Sequence, residues 1–99
     1  MTNFGLPEKT INELLKYFST KNDIEKVLIF GSRAKDTYKT GSDIDFAIWT
    51  DNHKEFFKIS SELDDLPTPY KFDIVDYKRL EHTNMKHSID TEGILFYEK

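Results

Sequence analysis

Val27-Leu28-Ile29-Phe30-Gly31-Ser32 and, ten residues further on, Asp43-Ile44-Asp45-Phe46-Ala47-Ile48-Trp49-Thr50 are the segments that decide the fold of this chain. Val27 to Phe30 is a continuous apolar run of strand length, closed by Gly31. Residues 43–50 alternate instead. Ile44, Phe46 and Ile48 take one face of a strand; Asp43, Asp45, Ala47 and Trp49 take the other. The strand therefore has an apolar underside and acids above it. Asp43 and Asp45 point the same way, within reach of one divalent cation. Carboxylates held that close repel one another, and a hard cation is the simplest relief.

The polar stretch between the two strands begins Gly31-Ser32 and ends Gly41-Ser42. Gly31-Ser32 leaves an apolar strand and enters what reads as a short helix starting near Arg33. That is a setting for an anion. A helix start offers free N–H groups, glycine lets the backbone approach closely, and the serine hydroxyl can donate one more bond. Arg33, Lys35 and Lys39 follow, opposed only by Asp36, and together could neutralise a triphosphate. Gly-Ser alone carries no such message, and the Gly-Lys-Ser/Thr end of a P-loop is absent. An isolated Asp-x-Asp pair is usually just solvated. At this fixed spacing the four positions together match by chance on the order of once per thousand such chains.

Working outward, residues 7–20 read as a helix: Pro7 suits its first position, and Ile11, Leu14, Leu15 and Phe18 form one buried stripe. Leu6 is placed to pack back on it. Residues 53–66 read as a second helix with Phe56, Ile59, Leu63 and Leu66 on its stripe, stopped by Pro67 and Pro69. Residues 72–77 form a third strand, 78–92 a helix ending before Gly93, and 94–97 a short last strand. The order calls for an α/β (α+β) architecture, a small sheet with helices packed mainly on one face. The direction of pairing between the first two strands is left open by the pattern. Asp73 lies between Phe72 and Ile74; if these face the core, Asp73 faces the same way as Asp43 and Asp45. Three acids from adjacent strands could then hold two metals, as in phosphoryl-transfer sites. Asp76 should face the other way, as a surface residue or a cap for the next turn.

Ninety-nine residues fit one domain, 1–99, and are too few for a (β/α)₈ barrel. Leu, Ile, Val and Phe make up about a quarter of the chain, enough to expect a packed core. Eighteen acids against 14 bases give a net charge of −4, which argues against a broad nucleic-acid footprint. There is no cysteine, so disulfides, thiolate zinc sites and cysteine nucleophiles are excluded. Neither a membrane span nor a signal peptide is visible, and a cytoplasmic location is the expectation. His53, His82 and His87 lack zinc-site spacing. Trp49 shares the acids' face and reads as a packing residue or a pocket wall; Tyr38 reads as an ordinary loop tyrosine. Of Phe56 and Phe57, one should fall off the helix stripe and could belong to a partner interface.

The pattern Gly31-Ser32, ten residues, Asp43-Ile44-Asp45 resembles the signature of the DNA polymerase β-like nucleotidyltransferase superfamily. Phe30-Gly31-Ser32-Arg33-Ala34-Lys35 and Ser42-Asp43-Ile44-Asp45-Phe46-Ala47 are similar to its smallest branch, the minimal nucleotidyltransferase (MNT) proteins. Phe72-Asp73-Ile74-Val75-Asp76 resembles the strand that carries the third carboxylate, and Glu92-Gly93-Ile94-Leu95-Phe96-Tyr97 the closing segment. The resemblance implies a polymerase β palm-like fold with a small mixed sheet. It implies transfer of a nucleoside monophosphate, AMP from ATP, in the presence of Mg2+, two ions being expected. Gly31 and Ser32, with Arg33 and Ser42 beside them, would bind the nucleotide. Asp43, Asp45 and Asp73 would be both metal ligands and catalytic residues, Asp73 acting as base on the acceptor hydroxyl. The implied partner is a HEPN-domain toxin modified on tyrosine, with neither nucleic acid nor membrane engaged directly and a homo-oligomer left open. Family members often have glycine where this chain has Asp36, and an acid there lies close to the expected triphosphate path.

Two functions compete. One is an active enzyme, whose acceptor must be a partner because the chain has no room for an acceptor domain. The other is a binding module that neutralises a partner by direct contact, with the acids inherited. A glycosyltransferase using Asp-x-Asp would need a larger nucleotide-binding domain.

Overall fold

The computed structural model describes residues 3–99. Helix α1 (Glu8–Ser19) leads into strand β1 (Ile24–Phe30), then β2 (Ile44–Thr50), α2 (His53–Asp64), β3 (Phe72–Asp76), a 3₁₀ turn (Tyr77–Arg79), α3 (Thr83–Glu92) and β4 (Ile94–Glu98). The strands form one sheet in the order β3-β2-β1-β4. β1 is antiparallel to β2 and to β4, whereas β2 and β3 run parallel. The sheet is mixed for a simple reason: parallel neighbours need a crossover, and α2 supplies it.

Alternation along β2 sorts the molecule into two layers. Ile44, Phe46 and Ile48 are fully buried against Leu14 and Phe18 of α1 and Ile59 and Leu63 of α2. Phe18 and Phe46 meet edge to face at 5.4 Å between ring centroids, the preferred aromatic geometry. On the opposite face Ile89 of α3 packs on Phe30 and Ala47, with Leu28, Trp49 and Val75 around them. Two helices thus cover one face, and α3 roofs part of the other.

Element boundaries differ from the sequence reading where polar side chains have local partners. α1 begins one residue later than expected, since Pro7 occupies the cap and its carbonyl accepts the Ile11 N–H. β1 begins at Ile24, ahead of the apolar run, because a register shift between Ile24 and Lys26 lets polar residues enter the ladder. No helix forms after Arg33. Residues 31–36 are consecutive turns, tied by Lys35 N–H to Gly31 O and Thr37 N–H to Ser32 O. They end at Asp36, whose φ of 63° is left-handed and stops helical propagation. α2 starts as expected, with the Asn52 side chain accepting the Glu55 N–H. α3 begins only at Thr83, where His82 Nδ1 accepts the Met85 N–H as a cap.

Candidate active site

The strands bring Asp45 and Asp73 to one end and one face of the sheet, and Asp43 stands just ahead of β2. Asp45 is the register partner of Asp73 across the parallel pair. Ile44 and Phe46 beside Asp45, like Phe72 and Ile74 beside Asp73, belong to the helix-covered core, so both carboxylates take the opposite face. Asp43 lies two residues before Asp45 and is exposed, as is Asp73; Asp45 is half-buried. Burial first, then the negative charges of Asp73 and Asp43, push the Asp45 carboxyl up to about 6, while Arg33 pulls against them.

Gly31 closes the site from β1, where Phe30 is the partner of Asp45. Its φ is +74°, and a Cβ there would stand 2.2 Å from Asp45 Oδ2. Glycine is required twice over, by backbone conformation and by contact with the carboxylate. The donors gathered here are hard oxygens. Magnesium takes one or two carboxylates of this kind from a protein and completes its shell with water and phosphate oxygens. Among the described residues no three His, Asp or Glu side chains form a metal-binding group by themselves. The acids therefore fit a partial shell, one whose accumulated negative charge a cation would offset.

Arg33 takes a position that its sequence context did not suggest. It is 3% exposed. Its Nη1 donates to Phe4 O at 2.8 Å, while Nη2 and Nε donate to Ser42 O at 2.8 and 3.2 Å. Tyr38 and Tyr70 flank the guanidinium, their ring centroids 5.2 and 5.1 Å away. Bonded in this way, Arg33 holds the carbonyl that immediately precedes Asp43. The Ser42 hydroxyl accepts the Lys39 N–H at 2.8 Å and tightens the same turn. Lys35, expected near a triphosphate, lies 3.4 Å from Glu92. Sequence reasoning missed Phe4 and Tyr70 as part of this surround. No local pattern links either to Arg33, and only the fold brings them together.

The remaining candidates lie elsewhere. Trp49 stacks on Tyr77 at 4.0 Å, separated from the acids along β2 by Ala47 and its contact with Ile89. Asp76 faces away from Asp73 as expected and stands at the N-cap position of the 3₁₀ turn, although its half-buried side chain caps no backbone N–H. It bonds His53 Nδ1 at 3.0 Å and Arg79 Nη1 at 3.0 Å, because α2 and the 3₁₀ turn converge on it. Phe57 is the off-stripe aromatic, 61% exposed.

Comparison with known proteins adds a family context. The family model described as "Polymerase beta, Nucleotidyltransferase" matches residues 12–99. No curated protein sequence matches the chain. Among solved structures, a toxin–antitoxin crystallised with AMP-PNP is similar at TM-score 0.63 and 25% identity, over 95% of this chain and 75% of that one. The toxin–antitoxin MntA-HepT is similar at TM-score 0.62 and 18% identity, over 94% and 74% of the two chains. A Shewanella oneidensis complex of tri-AMPylated HEPN toxin with MNT antitoxin is similar at TM-score 0.58 and 20% identity, over 93% and 72%.

Proposed function

The chain belongs to the polymerase β nucleotidyltransferase family, and from that premise we propose that it transfers AMP from ATP to a tyrosine hydroxyl of a HEPN-type toxin, acting as its antitoxin. The observation that carries this reading is the pairing of Asp45 with Asp73 across the parallel strands, with the charge of Asp43 acting on Asp45 and the backbone of Gly31 against the Asp45 carboxylate. The solved complexes support the choice of nucleotide and partner, since one contains AMP-PNP and another an AMPylated HEPN toxin. The pair would act in the cytoplasm, in keeping with the absence, among the described residues, of any helix long and apolar enough to cross a membrane.

Asp43, Asp45 and Asp73 would hold Mg2+, whose chemistry is to stabilise negative charge on the attacking and leaving oxygens. Gly31 and Ser32 bind the triphosphate through backbone N–H groups and the serine hydroxyl. The acceptor hydroxyl oxygen attacks the α-phosphorus, the bond to the bridging oxygen of the β-phosphate breaks, and pyrophosphate leaves. The acceptor proton passes to the Asp73 carboxylate. Arg33 acts through position: by gripping Ser42 O it sets the approach of Asp43 to the site. Its Nε and one N–H on each terminal nitrogen go to the Ser42 and Phe4 carbonyls.

The alternative, neutralisation by direct contact alone, draws on one feature: the three carboxylates do not by themselves make a metal-binding group. Titration of Mg-ATP into the wild type and into Asp43→Asn/Asp45→Asn separates the two. The enzyme reading expects magnesium-dependent binding that the double variant loses, together with loss of AMP transfer to the toxin. A double variant that still neutralises the toxin as well as wild type would establish the binder.

A further inference from the structure

Arg33 grips the Ser42 carbonyl, and Arg33 is itself held by the backbone turn Asn3–Leu6. The Leu6 N–H donates to Asn3 O at 3.0 Å and closes this turn. Its two central residues are both left-handed, Phe4 at φ 59° and Gly5 at φ 69°. That is the φ pattern of a type I′ turn, whose central positions favour glycine, asparagine and aspartate. A phenylalanine there is strained. The Asn3 side chain accepts the Gly5 N–H at 2.9 Å. Phe4 and Leu6 are both buried in the helix-covered core, the Phe4 ring 6.0 Å from that of Phe96. Core burial thus holds the turn in a conformation that its own backbone disfavours.

That conformation aims the Phe4 carbonyl at Arg33 Nη1, 2.8 Å away in a buried bond. The same guanidinium reaches Ser42 O with Nη2 and Nε. Gly5 makes a second contact. A Cβ there would stand 2.2 Å from Tyr38 Cε2, so the ring lies directly against the glycine, with its centroid 5.2 Å from the guanidinium. Arg33 and Tyr38 both belong to the segment that joins Gly31 to Asp43, and the turn is therefore fastened to that segment twice. It lies ahead of residues 12–99, which carry the family match. We propose that the Asn3–Leu6 turn is a positioning element for Asp43: through the Phe4 carbonyl and Gly5 it fixes Arg33 and Tyr38 from the helix-covered side, and so sets where Asp43 stands without touching substrate. The inference rests on the nucleotidyltransferase reading, in which Asp43 helps to hold Mg2+. Groups that orient a metal ligand set its affinity for the ion.

The test reads how far Mg2+ strengthens ATP binding, as the ratio of dissociation constants in EDTA and in Mg2+, by calorimetric titration of the full chain. The ratio reports the metal-holding acids, whereas a general loss of structure weakens ATP in both conditions alike. Gly5→Ala puts a methyl against Tyr38 and a Cβ on a left-handed backbone. It should cut the ratio at least about five-fold and leave ATP affinity in EDTA unchanged. Arg33→Lys keeps the charge, loses the fork that spans both carbonyls, and should cut the ratio as well. Because the turn acts through Arg33, the double variant should fall no more than about two-fold below Arg33→Lys alone. Tyr17→Phe loses a bond to Glu62 between α1 and α2, and should keep the wild-type ratio. Gly5→Asn accepts the left-handed backbone and still presses on Tyr38, and it carries the same comparison if Gly5→Ala does not fold. A smaller change in the glycine variant overturns the proposal and leaves the nucleotidyltransferase reading intact. So does a larger further loss in the double variant, or an equal loss in EDTA and in Mg2+. A wild type whose ATP binding gains nothing from Mg2+ overturns the role of the turn and the nucleotidyltransferase reading together.

Discussion

The Asp45 carboxyl is ionised at neutral pH against the field of Asp73 and Asp43 and against partial burial. Its folded-state value of about 6 lies above the ordinary 3.8. The native chain therefore holds this proton more tightly than the unfolded chain does. Well below the unfolded value of 3.8 both states are protonated and Asp45 costs nothing; the cost grows as pH rises from there towards 6 and is complete above it. Asp45→Asn should stabilise the metal-free protein at pH 7 by roughly 2–3 kcal/mol and lose most of that advantage at pH 4, as followed by thermal unfolding. An Asn variant no more stable than wild type at pH 7 would contradict the burial argument. Asp36 is a second residue whose chemistry and conformation diverge. It reads in the sequence as an acid near the phosphate path, but the structure holds it at a φ of 63°, a left-handed conformation that glycine adopts at less cost. The acids were legible because two-residue spacing on a strand fixes their common face. The buried role of Arg33 was not, since its bond to Phe4 spans 29 residues and no local pattern encodes it.

Elements were legible where apolar periodicity was strong. The stripe of α1 and the alternation of β2 lead directly to the Phe18–Phe46 core. The segment between β1 and β2 was not, because helix and successive turns place the same polar residues after Gly31. The difference is decided by Asp36 in its left-handed conformation and by Arg33 reaching out of the segment to Phe4 and Ser42. This loop has little apolar burial of its own, so Arg33 is its main tie to the N-terminal turn. Arg33→Met keeps the bulk and removes the donors, leaving the Phe4 and Ser42 carbonyls without their partner. It should cost about 2–4 kcal/mol in urea denaturation. A loss below about 1 kcal/mol would mean that water replaces the guanidinium readily. The late start of α3 has a comparable origin, as Lys78 pairs with Glu25 and Asp51, and Arg79 with Asp76, before the helix can begin.

At the scale of the whole molecule, β2 at the centre collects chemistry from both neighbours: Gly31 from β1 and Asp73 from β3. A ligand bound to all three stabilises the native state and has no counterpart in the unfolded chain. Mg-ATP at a hundred times its dissociation constant should add about 2.7 kcal/mol, read as an upward shift in melting temperature. The shift should vanish in Asp43→Asn/Asp45→Asn; persistence there would locate binding elsewhere. The parallel pairing of β2 with β3 has a temporal side as well. Antiparallel β1 and β2 can associate as soon as both have been synthesised, presenting Asp43 and Asp45 beside Gly31. Asp73 joins them only after α2 has folded across and β3 has docked, a long-range step and therefore a slow one. A half-made chain thus displays two of the three carboxylates, and the arrival of the third marks the finished molecule.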